Sequence, residues 1–184
     1  MQPIHTLARP IKLFIMDVDG VLTDGSVYIT DAGDELKAFY APDGLGLTLL
    51  RKSGVTLAII SGRDSPVTAA RAKDLKIHHV LQGAQDKGAA LANLLKTAGV
   101  ALSECAYIGD DVIDLPILRA VGLAVSVPNG HHLARLAAHW VTAQSGGAGA
   151  VRELSELILF AQDKLLAAYA PYLGADISPK LEIV

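Results

Sequence analysis

The chain has 184 residues, 51% of them hydrophobic and 19% charged, a composition typical of a folded domain with a substantial core and not of a disordered chain. Its net charge of −3 gives no electrostatic reason to expect a nucleic-acid partner. The single cysteine, Cys105, excludes an internal disulfide and is compatible with a reducing compartment.

The N-terminal segment and the apolar runs bear on the cellular location. The first ten residues lack the basic-then-apolar layout of a signal peptide. No apolar run in the sequence approaches the ~20 residues that are needed to span a bilayer. We therefore expect a soluble, cytoplasmic protein with no membrane partner.

An apolar run near the N-terminus ends in a pair of acids. The run from Ile11 to Met16, interrupted only by Lys12, predicts a buried strand, and Asp17, Asp19 and Gly20 follow it. Carboxylates this close repel each other unless a cation or a shared proton compensates. A divalent metal is one such cation, because Mg²⁺ takes one or two protein carboxylates and leaves its other positions to water and phosphate oxygens. The simpler interpretation of this stretch alone is a turn that closes a strand.

The rest of the sequence alternates between β-prone and amphipathic segments. Two short β-prone runs around a glycine-containing turn predict a hairpin at about residues 26–40. Ser65 and Pro66 mark the start of a helix, and Gly99 marks the end of another. The pattern predicts strands at 55–60, 79–81, 106–108, 123–127 and 140–141, and helices at 43–52, 66–75, 86–98, 113–120, 132–138 and 150–168.

Strands that alternate with helices predict an α/β fold, a Rossmann-like doubly wound parallel sheet with helices on both faces and an inserted β-hairpin. The sequence has no linker long enough to divide it, so we expect residues 1–184 to form one domain with a C-terminal tail at about 169–184. In such sheets, ligands bind outside the carboxyl ends of the strands. The polar residues at those ends, which we expect to meet on one rim, are Asp17, Asp19, Ser61, Gly62, Asp110 and Asp111.

This rim carries the groups that phosphoryl transfer needs. One carboxylate can act as the nucleophile and form an aspartyl phosphate. A neighbouring carboxyl group can protonate the leaving alcohol and later activate water. Mg²⁺ and Lys87, which lies near the start of a predicted helix, can neutralise the acidic cluster and the phosphoryl oxygens. A serine hydroxyl and backbone N–H groups can hold those oxygens.

Four motifs follow each other along the chain: Asp17-x-Asp19-Gly20-x-x-Thr23, Ser61-Gly62-Arg63, Lys87, and Gly109-Asp110-Asp111-x-x-Asp114. In this order they resemble the motifs of the haloacid dehalogenase superfamily. Residues 17–25, 41–44, 107–114 and 146–153 further resemble the 3-deoxy-D-manno-octulosonate (KDO) 8-phosphate phosphatases, small members without a cap domain. The resemblance implies a Mg²⁺-dependent homotetramer, in which the hairpins of four subunits meet, that hydrolyses KDO 8-phosphate in lipopolysaccharide precursor biosynthesis.

The same resemblance implies roles for the acidic residues. Asp17 would be the nucleophile and Asp19 the general acid/base. Mg²⁺ would be bound by Asp17, by the backbone carbonyl of Asp19 and by Asp110. Asp111 and Asp114 would orient the metal-bound waters and the lysine.

The resemblance also implies contacts with a sugar-acid phosphate. Asp19, Ser61, Gly62 and Lys87 would contact its phosphate group, and Arg63 and Arg71 match positions that meet the anionic sugar acid. One position departs from the pattern, because many relatives carry an arginine where this chain has Thr48. The departure leaves open a related nine-carbon sugar-acid phosphate as the substrate.

Two other classes of protein share some of these features. A phospho-receiver module also places an acidic cluster, a lysine and Mg²⁺ on an α/β sheet, but its acceptor aspartate lies on a later strand than its acid pair. Here the pair Asp17 and Asp19 comes first and the second acidic cluster follows Lys87. A non-catalytic tetrameric scaffold is disfavoured because every motif residue is retained.

Overall fold

The structure, a computed structural model, describes residues 3–173. In this range the strands are β1 (Leu13–Met16), β2 (Tyr28–Ile29), β3 (Glu35–Leu36), β4 (Thr56–Ile60), β5 (His79–Leu81), β6 (Cys105–Ile108), β7 (Leu123–Ser126) and β8 (Trp140–Val141). The α-helices are α1 (Ile4–Ala8), α2 (Ala41–Lys52), α3 (Pro66–Asp74), α4 (Lys87–Ala98), α5 (Leu115–Leu118), α6 (His132–Ala137), α7 (Ala150–Ala161) and α8 (Leu165–Tyr169).

Six strands form one parallel sheet in the order β5-β4-β1-β6-β7-β8. The strand order reverses at β1, which pairs with β4 on one side and with β6 on the other. Crevices at such a reversal are where open α/β sheets bind ligands. The predicted doubly wound parallel sheet is confirmed, and the end of β1 is its expected binding position.

The core lies on both faces of the sheet because β1 is buried on both. Phe14 and Met16 belong to one apolar cluster, with side chains of α2 and α7. Leu13 and Ile15 belong to the other, with side chains of α4 and α5. This alternation follows from the two-residue period of a strand, and burial on both faces explains why the run from Ile11 to Met16 is almost continuously apolar.

The predicted hairpin forms between β1 and α2. Strands β2 and β3 pair antiparallel, with Tyr28 opposite Leu36 and Ile29 opposite Glu35, and both are shorter than predicted. Tyr28, Ile29 and Leu36 are exposed. In residues 3–173 no further insertion forms a separate cap over the sheet, as predicted.

The prediction of one helix over residues 150–168 is wrong. The chain leaves the helical conformation after Ala161, because Asp163 adopts a left-handed backbone with φ of 57°, and α8 starts a new helix at Leu165. The Lys164 ammonium donates to the backbone carbonyl of Ser53 at 3.0 Å, which ties the break to the end of α2. Of the predicted tail at about 169–184, residues 174–184 lie outside the described range. Among the described helices, none is both long and apolar enough to cross a membrane.

Candidate active site

Asp17 follows β1 directly, and its side chain is buried at the centre of the rim. Its backbone N–H continues the sheet ladder to Ile108, and the residue as a whole, backbone included, is 4% exposed. Oδ1 accepts the N–H of Val18 at 2.7 Å, while Oδ2 lies 2.7 Å from the ammonium of Lys87. Burial raises the pKa of Asp17 to about 6 even though Lys87 opposes the shift. The carboxylate is therefore held in one orientation, with a cation beside it.

Lys87 is the first residue of α4, which begins where Asp86 accepts the N–H of Ala89 at 2.9 Å. Its ammonium is almost fully buried and lies 2.6 Å from Asp114 Oδ1, so it joins Asp114 to Asp17. Burial lowers the pKa of Lys87, but the two carboxylates outweigh burial and the net pKa is raised. The lysine is therefore a fixed cation of the site and not a solvated surface charge.

Asp114 is fully buried and accepts hydrogen bonds at both oxygens. Oδ1 accepts from Lys87 and from the Tyr107 hydroxyl at 2.5 Å. Oδ2 accepts the backbone N–H groups of Asp110 and Asp111 at 2.9 and 3.0 Å. Asp114 thus fixes the loop that carries Asp110, as a residue that positions its neighbours would.

Three carboxylates form a compact oxygen cluster. Asp17, Asp110 and Asp114 each offer an oxygen atom, and these atoms all lie within 4.8 Å of one another. Burial, with further effects from Asp17 and Asp114, raises the pKa of Asp110 to about 7. A group of hard oxygen donors whose negative charge is poorly compensated fits a small divalent cation such as Mg²⁺. The predicted ligands Asp17 and Asp110 are both in this group.

The Asp19 carboxylate lies apart from this cluster, on the side of the hairpin. Its Oδ1 is ion-paired with Lys37, and its Oδ2 lies 3.8 Å from Arg63 Nε. Its side chain is 20% exposed, whereas that of Asp17 is 6% exposed. The two acids therefore occupy different environments, which suits two different chemical roles.

A cavity of about 310 Å³ opens above the rim. Ser61 and Gly62 follow β4 and line it, and the Ser61 hydroxyl accepts the backbone N–H of Arg63 at 3.3 Å. Asp111 also lines the cavity and caps the short helical turn after it by accepting the N–H of Val112 at 2.7 Å. The complete lining is Asp17, Asp19, Gly25, Val27, Ser61, Gly62, Arg63, Asp110, Asp111 and Ile113.

Lys87 and Asp114 do not line this cavity themselves but contact Asp17 and Asp110, which do. Arg71 is the predicted site residue that neither lines the cavity nor pairs with a residue that does. It lies on α3 and pairs with Asp74 at 2.8 Å. Its guanidinium stacks on the ring of Phe39 at 5.8 Å. Thr48, the departure from the family pattern, donates its hydroxyl to the Gly44 carbonyl at 2.9 Å within α2.

The loop that follows Asp17 is supported from the other end of the chain. The N–H of Gly147 donates to the carbonyl of Val21 at 2.9 Å. A Cβ atom at Gly146 would lie 1.8 Å from the Gly20 carbonyl oxygen, so a side chain at this position requires the loops to separate. Gly20 itself has φ of +89°, and a Cβ there would lie 2.1 Å from Asp110 Oδ2. The glycines at these positions therefore permit the close approach that shapes the site.

The supporting loop is in turn anchored by Asp43 at the start of α2. Its Oδ1 accepts the N–H of Arg152 in the first turn of α7 at 2.7 Å, so it acts as a cap from a distant part of the chain. Burial raises the pKa of Asp43 to about 6. Glu153 accepts the N–H groups of Ala143 and Gln144, which fixes the segment just before the supporting loop at Gly146 and Gly147.

Sequence reasoning missed Glu35, Lys37 and Tyr107. Glu35 and Lys37 are two residues apart, so a strand places them on one face, and that spacing was the available signal. Tyr107 lies in an otherwise apolar buried strand, where a hydroxyl needs a polar partner. The partner, Asp114, lies seven residues further along the chain, and no local pattern links the two.

Comparisons with known proteins agree with this geometry. A sequence model of the haloacid dehalogenase-like hydrolases matches residues 73–154. The KDO 8-phosphate phosphatase KdsC of Yersinia pestis is 48% identical over 161 residues, which cover 88% of this chain and 86% of the relative.

Two solved structures share the whole fold. The KDO 8-phosphate phosphatase of Moraxella catarrhalis, in complex with magnesium, phosphate and KDO, superposes with a TM-score of 0.91 at 50% identity, covering 92% of this chain and 98% of that one. The cobalt-bound Haemophilus influenzae phosphatase superposes with a TM-score of 0.84 at 41% identity, covering 86% and 93%. The chain therefore belongs to the KDO 8-phosphate phosphatases, a family of the haloacid dehalogenase-like hydrolases.

Proposed function

We propose that the chain is a Mg²⁺-dependent phosphatase that hydrolyses KDO 8-phosphate to KDO and inorganic phosphate, in lipopolysaccharide precursor biosynthesis. The observation that carries the proposal is the ammonium of Lys87, buried between Asp17 and Asp114 beside Asp110, in a chain 48% identical to a KDO 8-phosphate phosphatase. This arrangement provides a nucleophile, Asp17, and a further hard ligand, Asp110, that both line one cavity, with the fixed cation Lys87 in contact with Asp17.

The covalent steps use Asp17 and Asp19. A carboxylate oxygen of Asp17 forms a bond to phosphorus while the bond from phosphorus to the sugar oxygen breaks. The leaving oxygen keeps the electron pair and takes a proton from Asp19. Asp19 then accepts a proton from the water that attacks the aspartyl phosphate, and Asp17 leaves with its electron pair. The separate environments of the two acids support this division of roles.

The acidic residues at the end of β1 and after β6 would hold the metal. Asp17, Asp110 and the backbone carbonyl of Asp19 would hold Mg²⁺, which when bound neutralises carboxylate and phosphoryl oxygens. Asp114 and Asp111 would position this site: Asp114 holds the backbone of the loop at both N–H groups, and Asp111 caps the turn that follows.

The substrate contacts divide between phosphate and sugar. Ser61, Gly62, Lys87 and Asp19 would contact the phosphate group. Arg63, half exposed at the mouth of the cavity, would meet the substrate carboxylate, since a guanidinium pairs with a carboxylate in fork geometry. We propose Arg71 as a second contact with the substrate carboxylate. Its side chain does not line the cavity formed by one chain, so the substrate would meet it beyond the cavity mouth.

We also propose a single domain over residues 1–184 and a homotetramer that acts in the cytoplasm without nucleic-acid or membrane partners. The exposed Tyr28, Ile29 and Leu36 of the hairpin support assembly, because apolar faces at a strand edge favour association. A net charge of −3 supports the absence of a nucleic-acid partner. Light scattering at micromolar concentration is expected to give the mass of four chains, and a monomeric mass would contradict the assembly.

The decisive experiment is a phosphate-release screen over sugar-acid phosphates, with and without Mg²⁺. We expect release from KDO 8-phosphate in Mg²⁺, no release in chelator, and recovery when Mg²⁺ is restored. Asp17→Asn keeps the shape of the side chain but removes the nucleophile, so turnover is expected to fall by at least ~10³-fold. Faster turnover of a nine-carbon sugar-acid phosphate would reassign the substrate, and near-normal turnover by folded Asp17→Asn would reject the mechanism.

A further inference from the structure

Lys37 is an unusual residue of the hairpin, because its side chain is only 1% exposed while its neighbours on the hairpin face solvent. Its ammonium pairs with Asp19 Oδ1 and lies 3.4 Å from Glu35 Oε1. Removing an ammonium from water costs several kcal/mol per ion unless good partners compensate. A lysine in this setting is a built part of the site and not a solvated charge.

Glu35 extends the same network towards α3. Its Oε1 accepts from Arg63 Nη2 at 2.8 Å, and its Oε2 accepts from the Ser65 hydroxyl at 2.6 Å. Ser65 is also the N-cap of α3, where it accepts the N–H of Thr68 at 3.4 Å. One glutamate therefore ties the hairpin both to the start of a helix and to an arginine at the mouth of the cavity.

The network holds the Asp19 carboxyl group at both oxygens, with Lys37 at Oδ1 and Arg63 at Oδ2. Contacts at both ends restrict rotation of the carboxyl plane, and Glu35 holds both cations in place. We propose that Lys37 and Glu35 are positioning residues that aim Asp19 at the leaving oxygen of the substrate. This inference rests on the proposed function, since it assigns to the hairpin the orientation of the proposed general acid.

The chemistry of the leaving group offers a specific test. An alkyl phosphate such as KDO 8-phosphate needs a proton on its leaving oxygen as that bond breaks. An aryl phosphate such as 4-nitrophenyl phosphate releases a stabilised phenolate and needs no proton in this step. Because kcat/KM reports the steps up to alcohol release, a misdirected Asp19 lowers kcat/KM for the alkyl ester alone. A general loss of structure lowers both values.

The experiment compares Lys37→Met with Lys12→Met in Mg²⁺. Lys12 is a matched control, because its ammonium is largely exposed and pairs with Glu104 at 2.5 Å. For Lys37→Met we expect kcat/KM to fall about 10- to 100-fold with KDO 8-phosphate and less than about 3-fold with 4-nitrophenyl phosphate, the scale of a misplaced catalytic group. Lys12→Met should retain both values.

A second pair of variants covers the case in which Lys37→Met does not fold. Glu35→Gln keeps the size of the side chain and is expected to show the same selective loss, at smaller amplitude, while Lys37→Arg restores a cation and part of the rate. Equal losses on both esters, or no loss, would overturn the inference while the parent enzyme remains active. Absence of phosphate release by the parent protein from both esters would instead reject the proposed function.

Discussion

Replacing Asp110 with asparagine should stabilise the metal-free protein and abolish its phosphatase activity. The Asp110 carboxyl is half-buried beside Asp17 and Asp114, and its pKa is raised from 3.8 to about 7. At about 1.36 kcal/mol for each pKa unit, full ionisation in the fold costs roughly 4 kcal/mol. The side chain is partly exposed and coupled to Asp17, so we discount this to about 2 kcal/mol. The amide of the Asp110→Asn variant carries no charge and avoids that cost.

The sign of the pH dependence follows from the direction of the shift. A carboxyl group whose pKa is raised on folding does not destabilise the fold below its ordinary pKa, where it is protonated in both states. The folded protein loses stability as pH rises above that value, and the loss is complete once pH has passed about 7. In chelator at pH 8, Asp110→Asn should therefore exceed the parent by about 2 kcal/mol, or about 4–8 °C in Tm for a chain of this size. At pH 5 the difference should shrink by more than half.

Thermal unfolding at matched protein concentration, with and without Mg²⁺, measures the stability difference between variant and parent at pH 8 and at pH 5. Mg²⁺ should raise the Tm of the parent, because it binds only the folded site, and should leave Asp110→Asn nearly unchanged. Asp110→Asn should also lose phosphatase activity. An asparagine variant that is less stable than the parent in chelator at pH 8 would refute the electrostatic reasoning, as would a difference that stays constant down to pH 5.

Three further substitutions test other parts of the site. Gly146→Ala places a Cβ 1.8 Å from the Gly20 carbonyl oxygen, so unfolding in urea should show a loss of about 2–4 kcal/mol and turnover should fall with it. Arg71→Ala should weaken kcat/KM for a sugar-acid phosphate by about 1.5–3 kcal/mol and hydrolysis of an uncharged-sugar phosphate far less, whereas equal losses would assign Arg71 to the phosphate or the fold. Tyr107→Phe removes the hydroxyl that donates to Asp114 at 2.5 Å, and chemical denaturation should show a loss of about 1–3 kcal/mol.

The sheet and the acidic rim could be predicted because both depend on local patterns. The apolar run before Asp17 marks a strand buried on both faces, and the alternation of elements fixes a parallel sheet. The rule that parallel strands collect their carboxyl ends at one edge then brings Asp17, Ser61 and Asp110 to the same cavity. The end of the last helix could not be predicted, since the left-handed turn at Asp163 falls on a residue other than glycine.

The side-chain contacts of Lys37 and Arg71 could not be predicted from the sequence, because they depend on how distant segments pack. The two-residue spacing of Glu35 and Lys37 indicates a shared face, but it does not identify Asp19 as the partner of the Lys37 ammonium, since a lysine on a short hairpin is ordinarily solvated. Arg71 shows the converse, because the sequence places it with the substrate contacts while the fold turns it towards Phe39 and Asp74. Local sequence reports what a residue can do, and packing decides which partner it meets.

The support that Gly147 gives to the loop after Asp17 has a consequence for biosynthesis. Asp17 comes early in the sequence, but the turn that holds its loop comes about 130 residues later, and α7, which anchors that turn through Asp43, begins only at Ala150. The nascent chain can build the first strands and helices without assembling a working phosphatase. Activity should therefore arise in a single late step, when α7 docks, so that chains cut or terminated before α7 remain inert towards the phosphate esters around them.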